Sequence, residues 1–201
     1  MTIQIEKTYP MPCSPEIAWE FLQNLEAVAG CMPGAKITER LGANRYKGTV
    51  TARVGPATMS FRGEVELQDV DPAARSLRLL GKGTDSTGTS AAALSLRARI
   101  DAAAGGLCAL SGTSEVSVSG KAATFGGRMM NTVAEQILQQ FADNFAAQVS
   151  ALQAQRAAPG SGAGASTAPT AAAGARELNV LALAWAIFRN WLRRLISRKS
   201  A

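Results

Sequence analysis

The chain contains no histidine. That excludes Ser-His-Asp and Cys-His nucleophile pairs, every histidine-ligated metal site and histidine-based pH sensing. Cysteine is nearly as scarce: Cys13, Cys31 and Cys108 stand far apart, with no CxxC spacing. An odd, sparse set fits small buried thiols in a reducing compartment, and a zinc site would need ligands that the sequence does not supply. Aromatic residues make up only 5%, too few for the stacking platforms that hold single-stranded nucleic acid. The opening MTIQIEKTYP has no basic stretch followed by an apolar run, so a cytoplasmic chain without a secretory signal is expected.

What the 201 residues do contain is 47% hydrophobic side chains, enough for one domain of ordinary size and something smaller. The net charge of +6 is lopsided: residues 176–201 hold six bases against the single acid Glu177, leaving a net of only +1 for residues 1–175. The basic character describes a tail, so a nucleic-acid partner, which wants a basic stripe on a folded face, is not expected. Between body and tail lies RAAPGSGAGASTAPTAAAGA, residues 156–175, without one large apolar side chain. Such a stretch cannot bury enough surface to offset its ordering entropy and reads as a flexible tether, its ends roughly 25 Å apart as a coil.

Within residues 1–155, Ile3, Ile5 and Tyr9 alternate with polar neighbours as a half-buried strand does. Ser14-Pro15-Glu16 follows, a cap, a first-turn proline and an acid at the positive helix end, then Ile17, Phe21, Leu22 and Leu25 at helical spacing. A short helical turn over Glu26–Ala29 is predicted before Gly30-Cys31-Met32-Pro33-Gly34. From Lys36 to about Lys121 the pattern is period-two, with turn signals at Gly42-Ala43-Asn44, Gly55-Pro56, Asp71-Pro72 and Gly105-Gly106. One wet and one dry face with short connections means an antiparallel meander of about six strands. Gly81-Lys82-Gly83 faintly suggests a phosphate loop, but the spacing is wrong and no helix start follows, so a hairpin turn is expected there. Last comes a helix from about Arg128 to Gln155, with Met130, Val133, Ile137, Phe141, Phe145, Val149 and Leu152 every three or four residues. The fold class is therefore α+β, the long helix lying on the dry face of the sheet.

That dry face is short of bulk: Gly48, Ala52, Gly63, Ala98, Gly112 and Ser114 interrupt its branched residues. Small residues leave space beneath a helix that normal packing density would fill. A hydrophobic pocket is one outcome, with Met32, Met59, Met129 and Met130 as adaptable walls and Ser114 and Tyr46 as polar atoms at its edge. The other is that the glycines only let strands bend, over a closed core. No inward pair of carboxylates is legible, and no base stands beside Cys31, so no catalytic site is predicted.

Several of these stretches together resemble one family: Ala29-Gly30-Cys31-Met32-Pro33-Gly34-Ala35, Tyr46-Lys47-Gly48, Val54-Gly55-Pro56, Phe61-Arg62-Gly63, and Gly120-Lys121 with Phe125-Gly126 and Arg128. They are similar to the carbon monoxide dehydrogenase G-subunit family of the START-like (SRPBCC) superfamily, over about residues 1–155. The resemblance implies a helix-grip fold, a curved antiparallel sheet wrapped around the C-terminal helix over an apolar cavity. On that helix-grip expectation the cavity lining includes Met32, Pro33, Tyr46, Met59, Phe61, Ser114, Phe125, Met129, Val133 and Ile137. It further implies a non-enzymatic protein that connects a molybdenum-containing carbon monoxide dehydrogenase-type enzyme with the membrane, by anchoring it or by carrying a quinone, menaquinone or ubiquinone. A docking or maturation factor for that enzyme, with the cavity merely structural, is the alternative. Ala122-Ala123-Thr124 is smaller than the family pattern at that place, which implies an altered pocket size or mouth.

The tail bears on that expectation directly. On a helical wheel of 178–199, Trp185, Phe188, Trp191, Leu192 and Leu195 fall on one half, and Arg189, Arg193 and Arg194 on the other, with Arg198 breaking the pattern at the end. Its longest apolar run, Leu178–Phe188, spans only ~16 Å of helix against a hydrocarbon core of roughly 30 Å, so it cannot cross a bilayer. Tryptophans opposite arginines suit the membrane interface, where each base near an anionic surface adds about 1 kcal/mol. Docking into a groove on a partner protein, or packing back on the body, are the other uses of such a helix.

Overall fold

A computed structural model describes residues 1–157. The expectations for the tether from residue 158 and for the amphipathic tail, Trp185 and Trp191 included, lie outside the described residues.

The first strand, β1 (Thr2–Met11), leads into α1 (Pro15–Gln23) and α2 (Leu25–Cys31). The Ser14 hydroxyl accepts from the Ile17 amide at 3.5 Å, with Pro15 at the first helical position, as the sequence signals. Six strands follow: β2 (Ala35–Arg40), β3 (Arg45–Val54), β4 (Ala57–Asp71), β5 (Ser76–Asp85), β6 (Ser90–Ala102) and β7 (Cys108–Gly120). They form a meander, and β1 pairs with β7, giving one antiparallel seven-stranded sheet in the order β1-β7-β6-β5-β4-β3-β2. Because the period is two, the register puts Ile3, Val116, Leu94, Gly81, Val65 and Tyr46 on the same, inner face.

Gly81-Lys82-Gly83 lies inside β5, not in a turn; the connection to β6 comes five residues later, at Gly88. The reason is a close approach across strands. Gly48, Gly63 and Gly83 are direct neighbours on β3, β4 and β5. A methyl group on Gly63 would strike the Lys82 carbonyl oxygen and the Gly83 backbone, and one on Gly83 would sit 2.9 Å from the Arg62 carbonyl oxygen.

The last helix, α3 (Gly127–Ala157), is 31 residues, about 46 Å long. It runs two residues past the expected boundary, and Arg156, taken from sequence as the first tether residue, donates to both carboxylate oxygens of Glu20 at 2.7 Å. Its two halves differ. Ala142, Phe145 and Val149 are buried, and Phe145 meets Phe21 edge-on with ring centroids 5.0 Å apart. The half before residue 141 has no fully buried side chain. The solid core, including Met11, Trp19, Leu77, Ile100 and Leu110, thus sits under the C-terminal half of α3, against α1.

All three cysteines belong to that core, with Cys13 Sγ 3.8 Å from Cys108 Sγ and no disulfide. Burial pushes all three thiols up, Cys108 to about 12, so none is a thiolate at neutral pH.

This asymmetry has a measurable consequence. Phe145→Ala should cost about 3–5 kcal/mol of stability in denaturant unfolding, whereas Val133→Ala, on the loosely covered half, should cost about 1 kcal/mol.

Candidate functional site

Where α3 is not anchored, it spans a cavity of about 430 Å³ against the inner face of the sheet. Leu22, Leu25 and Val28 of the short helices line it on one side and Ala35 and Ile37 of β2 on another, with Leu138 and Phe141 contributed by α3. The sheet supplies a floor that alternates bulk with absence: Phe61, Leu79, Leu94 and Leu96 beside Gly48, Gly81 and Gly112. The space is therefore open, and the small residues along its floor are of two kinds. Gly48, Gly63 and Gly83 are demanded by backbone contact, whereas a methyl on Gly112 or Gly81 would make only ordinary contacts at 3.6 and 3.5 Å. The first set lets neighbouring backbones come close; the second leaves open space above the floor.

A larger depression, about 840 Å³, lies on the opposite face of the sheet. It is bordered by outward residues such as Arg62, Glu66, Lys82 and Ser117, and by the Arg45–Glu64 ion pair at 2.8 Å. Ligand sites are mostly apolar with a few placed polar groups, which describes the inner cavity and not this charged surface.

Of the ten residues expected at the cavity, the structure brings Met32, Phe61 and Ser114 together in its wall. Asn144 of α3 donates to the Cys31 carbonyl at 2.9 Å and so fixes the turn that carries Met32. The other seven lie elsewhere. Tyr46 is buried, with the Arg40 guanidinium 5.5 Å from its ring centroid and its hydroxyl donating to the Ala43 carbonyl. Pro33 is in the turn before β2, Phe125 in the short turn Lys121–Phe125 before α3, and Met59 at the β3–β4 end of the sheet. Met129, 40% exposed, stands over the Gly55 turn. Val133 and Ile137 miss the cavity because Phe145 sets the roll of α3. At 100° per residue they point about 120° and 80° away from it, whereas Leu138 and Phe141 lie within about 40°. The small Ala122 is fully buried, its amide donating to the Ser90 hydroxyl at 3.0 Å, and closes the sheet end without bordering the cavity.

One wall residue went unnoticed in the sequence pattern. Lys7 shares its parity with Ile3, Ile5 and Tyr9, so it faces inward, and its ammonium donates to Glu135 Oε1 of α3 at 3.3 Å. The signal was available in the alternation itself.

A family model for the G component of carbon monoxide dehydrogenase (CoxG) matches residues 10–150. The chain belongs to that family. Solved structures similar to this CoxG family member share its fold at low identity. A conserved protein from Geobacillus kaustophilus is 19% identical with a TM-score of 0.67, over 74% of this chain and 96% of that one. The Zhui aromatase/cyclase from Streptomyces sp. R1128 is 17% identical with a TM-score of 0.57, over 80% and 99%. A START superfamily protein from Mycobacterium smegmatis is 18% identical with a TM-score of 0.52, over 74% and 98%. The helix-grip, START-like fold expected for the family is the fold observed. No curated protein matches the sequence. Among the described residues, no helix is long and apolar enough to cross a membrane, and no group of three or more His, Cys, Asp or Glu side chains is placed to hold a metal ion.

The two classes of glycine should separate on substitution. Gly63→Ala should lower stability by about 3 kcal/mol, because backbone and not a mobile side chain must give way. Gly81→Ala should be neutral or slightly stabilising in the same denaturant titration.

Proposed function

We propose that this protein is a non-enzymatic binder of an apolar small molecule, a membrane quinone such as menaquinone or ubiquinone, or a lipid. In this reading it links a molybdenum-containing carbon monoxide dehydrogenase-type enzyme to the cytoplasmic face of the cell membrane. The apolar cavity of about 430 Å³ under α3 carries the proposal, since its volume lies within the usual range of small-molecule sites. The family description supplies the enzyme partner. The Zhui structure is named as an aromatase/cyclase, so a related fold hosts an enzyme. Here the thiols are neutral and buried, and the other charged residues at the cavity border, Lys36, Arg62, Glu64 and Lys82, alternate to the outer face, which leaves Lys7 with the exposed Glu135 among the described residues.

Organic extracts of the purified full chain, produced in a quinone-containing host, should yield quinone or lipid by mass spectrometry. Gly112→Leu, which fills the cavity from its floor, should remove that ligand and leave the fold intact. A wild-type extract free of both would sink the carrier reading, and an enzyme that still co-purifies with it would favour the docking or maturation role.

The second half of the proposal rests on the tail sequence, whose tryptophans and arginines are the pattern of an interfacial helix. The full chain should float with anionic phosphatidylglycerol vesicles, and a chain lacking 178–201 should stay at the bottom of the gradient. Equal flotation of both would remove the tail from membrane binding.

A further inference from the structure

The cavity has one polar corner. β1 and β7 are paired so that Lys7 lies beside Gly112 and Ile5 beside Ser114, which makes Lys7 and Ser114 diagonal neighbours on the inner face. Both line the cavity. The other charged residues at its border, Lys36, Arg62, Glu64 and Lys82, alternate to the outer face, and the Glu64 carboxylate is held there by Arg45 at 2.8 Å. Lys7 is therefore the charged side chain that the inner face presents to this space among the described residues. Across the strands its neighbours are Gly112 and then Ala98, so no bulk separates its stem from the cavity.

Its present partner holds it weakly. The Lys7–Glu135 pair is 3.3 Å long, with side chains 41% and 63% exposed, and pairs of this kind contribute little and exchange readily. An ammonium carries three donors, and Glu135 takes one. The Ser114 hydroxyl also lies in the cavity wall, on a half-buried residue of β7. An otherwise apolar site with two donor-bearing side chains on neighbouring positions of one wall selects the orientation of what it binds.

We propose that Lys7 and Ser114 form a headgroup subsite, which takes an acceptor oxygen, a ring carbonyl or a carboxylate, at the polar end of an otherwise apolar ligand. Lys7 shares its ammonium between that oxygen and Glu135, and the apolar body lies along Leu94, Leu96 and Phe141. This rests on the cavity being a ligand site, as proposed above, and adds which end of the ligand goes where.

Calorimetric titration of the full chain with three probes tests it: 2-methyl-1,4-naphthoquinone, palmitate, and 2-methylnaphthalene, which has the ring and no oxygen. The wild type should bind the naphthoquinone more tightly than the hydrocarbon. Lys7→Met, which keeps the aliphatic stem, should weaken the naphthoquinone about tenfold and leave 2-methylnaphthalene unchanged. Ser114→Ala should act in the same direction with a smaller loss. A carboxylate ligand would show itself by a loss for palmitate well above that for the quinone. If the wild type binds quinone and hydrocarbon equally, or if Lys7→Met and Ser114→Ala change nothing, the subsite is wrong while the cavity stands. If none of the three probes binds the wild type, the subsite falls together with the reading it rests on.

Discussion

Three glycines side by side, Gly48, Gly63 and Gly83, let the backbones of β3, β4 and β5 approach more closely than side chains would permit. A side chain at any of the three would have to push a neighbouring strand away. A sheet that bends there curls around α3 and does not lie flat beneath it. A curved sheet touches the long helix well at one end and poorly at the other. The contact is made where Phe145 and Val149 meet Phe21 and the core, and the gap is left beneath Leu138 and Phe141.

The division of α3 into an anchored and a spanning half also separates stability from binding. The C-terminal half carries the buried aromatic contacts, so a ligand entering under the other half need not disturb the core. The spanning half is joined to β1 through Lys7 and Glu135, an exposed ion pair at the edge of the cavity. In the proposed carrier role, weak closure of this sort suits a wall that admits and releases a molecule, since little free energy is lost when it opens. The buried thiols belong to the rigid end, where neutral sulfur serves as packing.

Much of this was legible in the order of the amino acids. Strand parity assigns most side chains to a face, failing only past the register shifts at Ile37/Glu39 and Gln68/Asp71, and Ser14-Pro15-Glu16 marks the start of α1 at the residue where it begins. The cavity itself was readable only as one of two outcomes, because a glycine that bends a strand and a glycine that vacates space look alike in a sequence. Gly63 turned out to be the first kind and Gly112 the second, and only the neighbouring backbone distinguishes them. Gly81-Lys82-Gly83 misled for the same reason, its glycines answering to partners on β4 and β6, not to a turn of their own. On α3, the broad apolar stripe was right, but the choice of Val133 and Ile137 as its cavity face was not.

Periodicity is a property of the local backbone, so the sequence alone determined the number, order and facing of the elements, the α+β class and the family. Register, helix roll and curvature are long-range quantities, settled when distant surfaces pack. They decided that Lys7 meets a carboxylate 128 residues away and that Leu138 rather than Ile137 looks into the cavity. They also decided that three glycines from separate strands fall in one line, because side chains far apart in the chain acquire common neighbours only in the folded state.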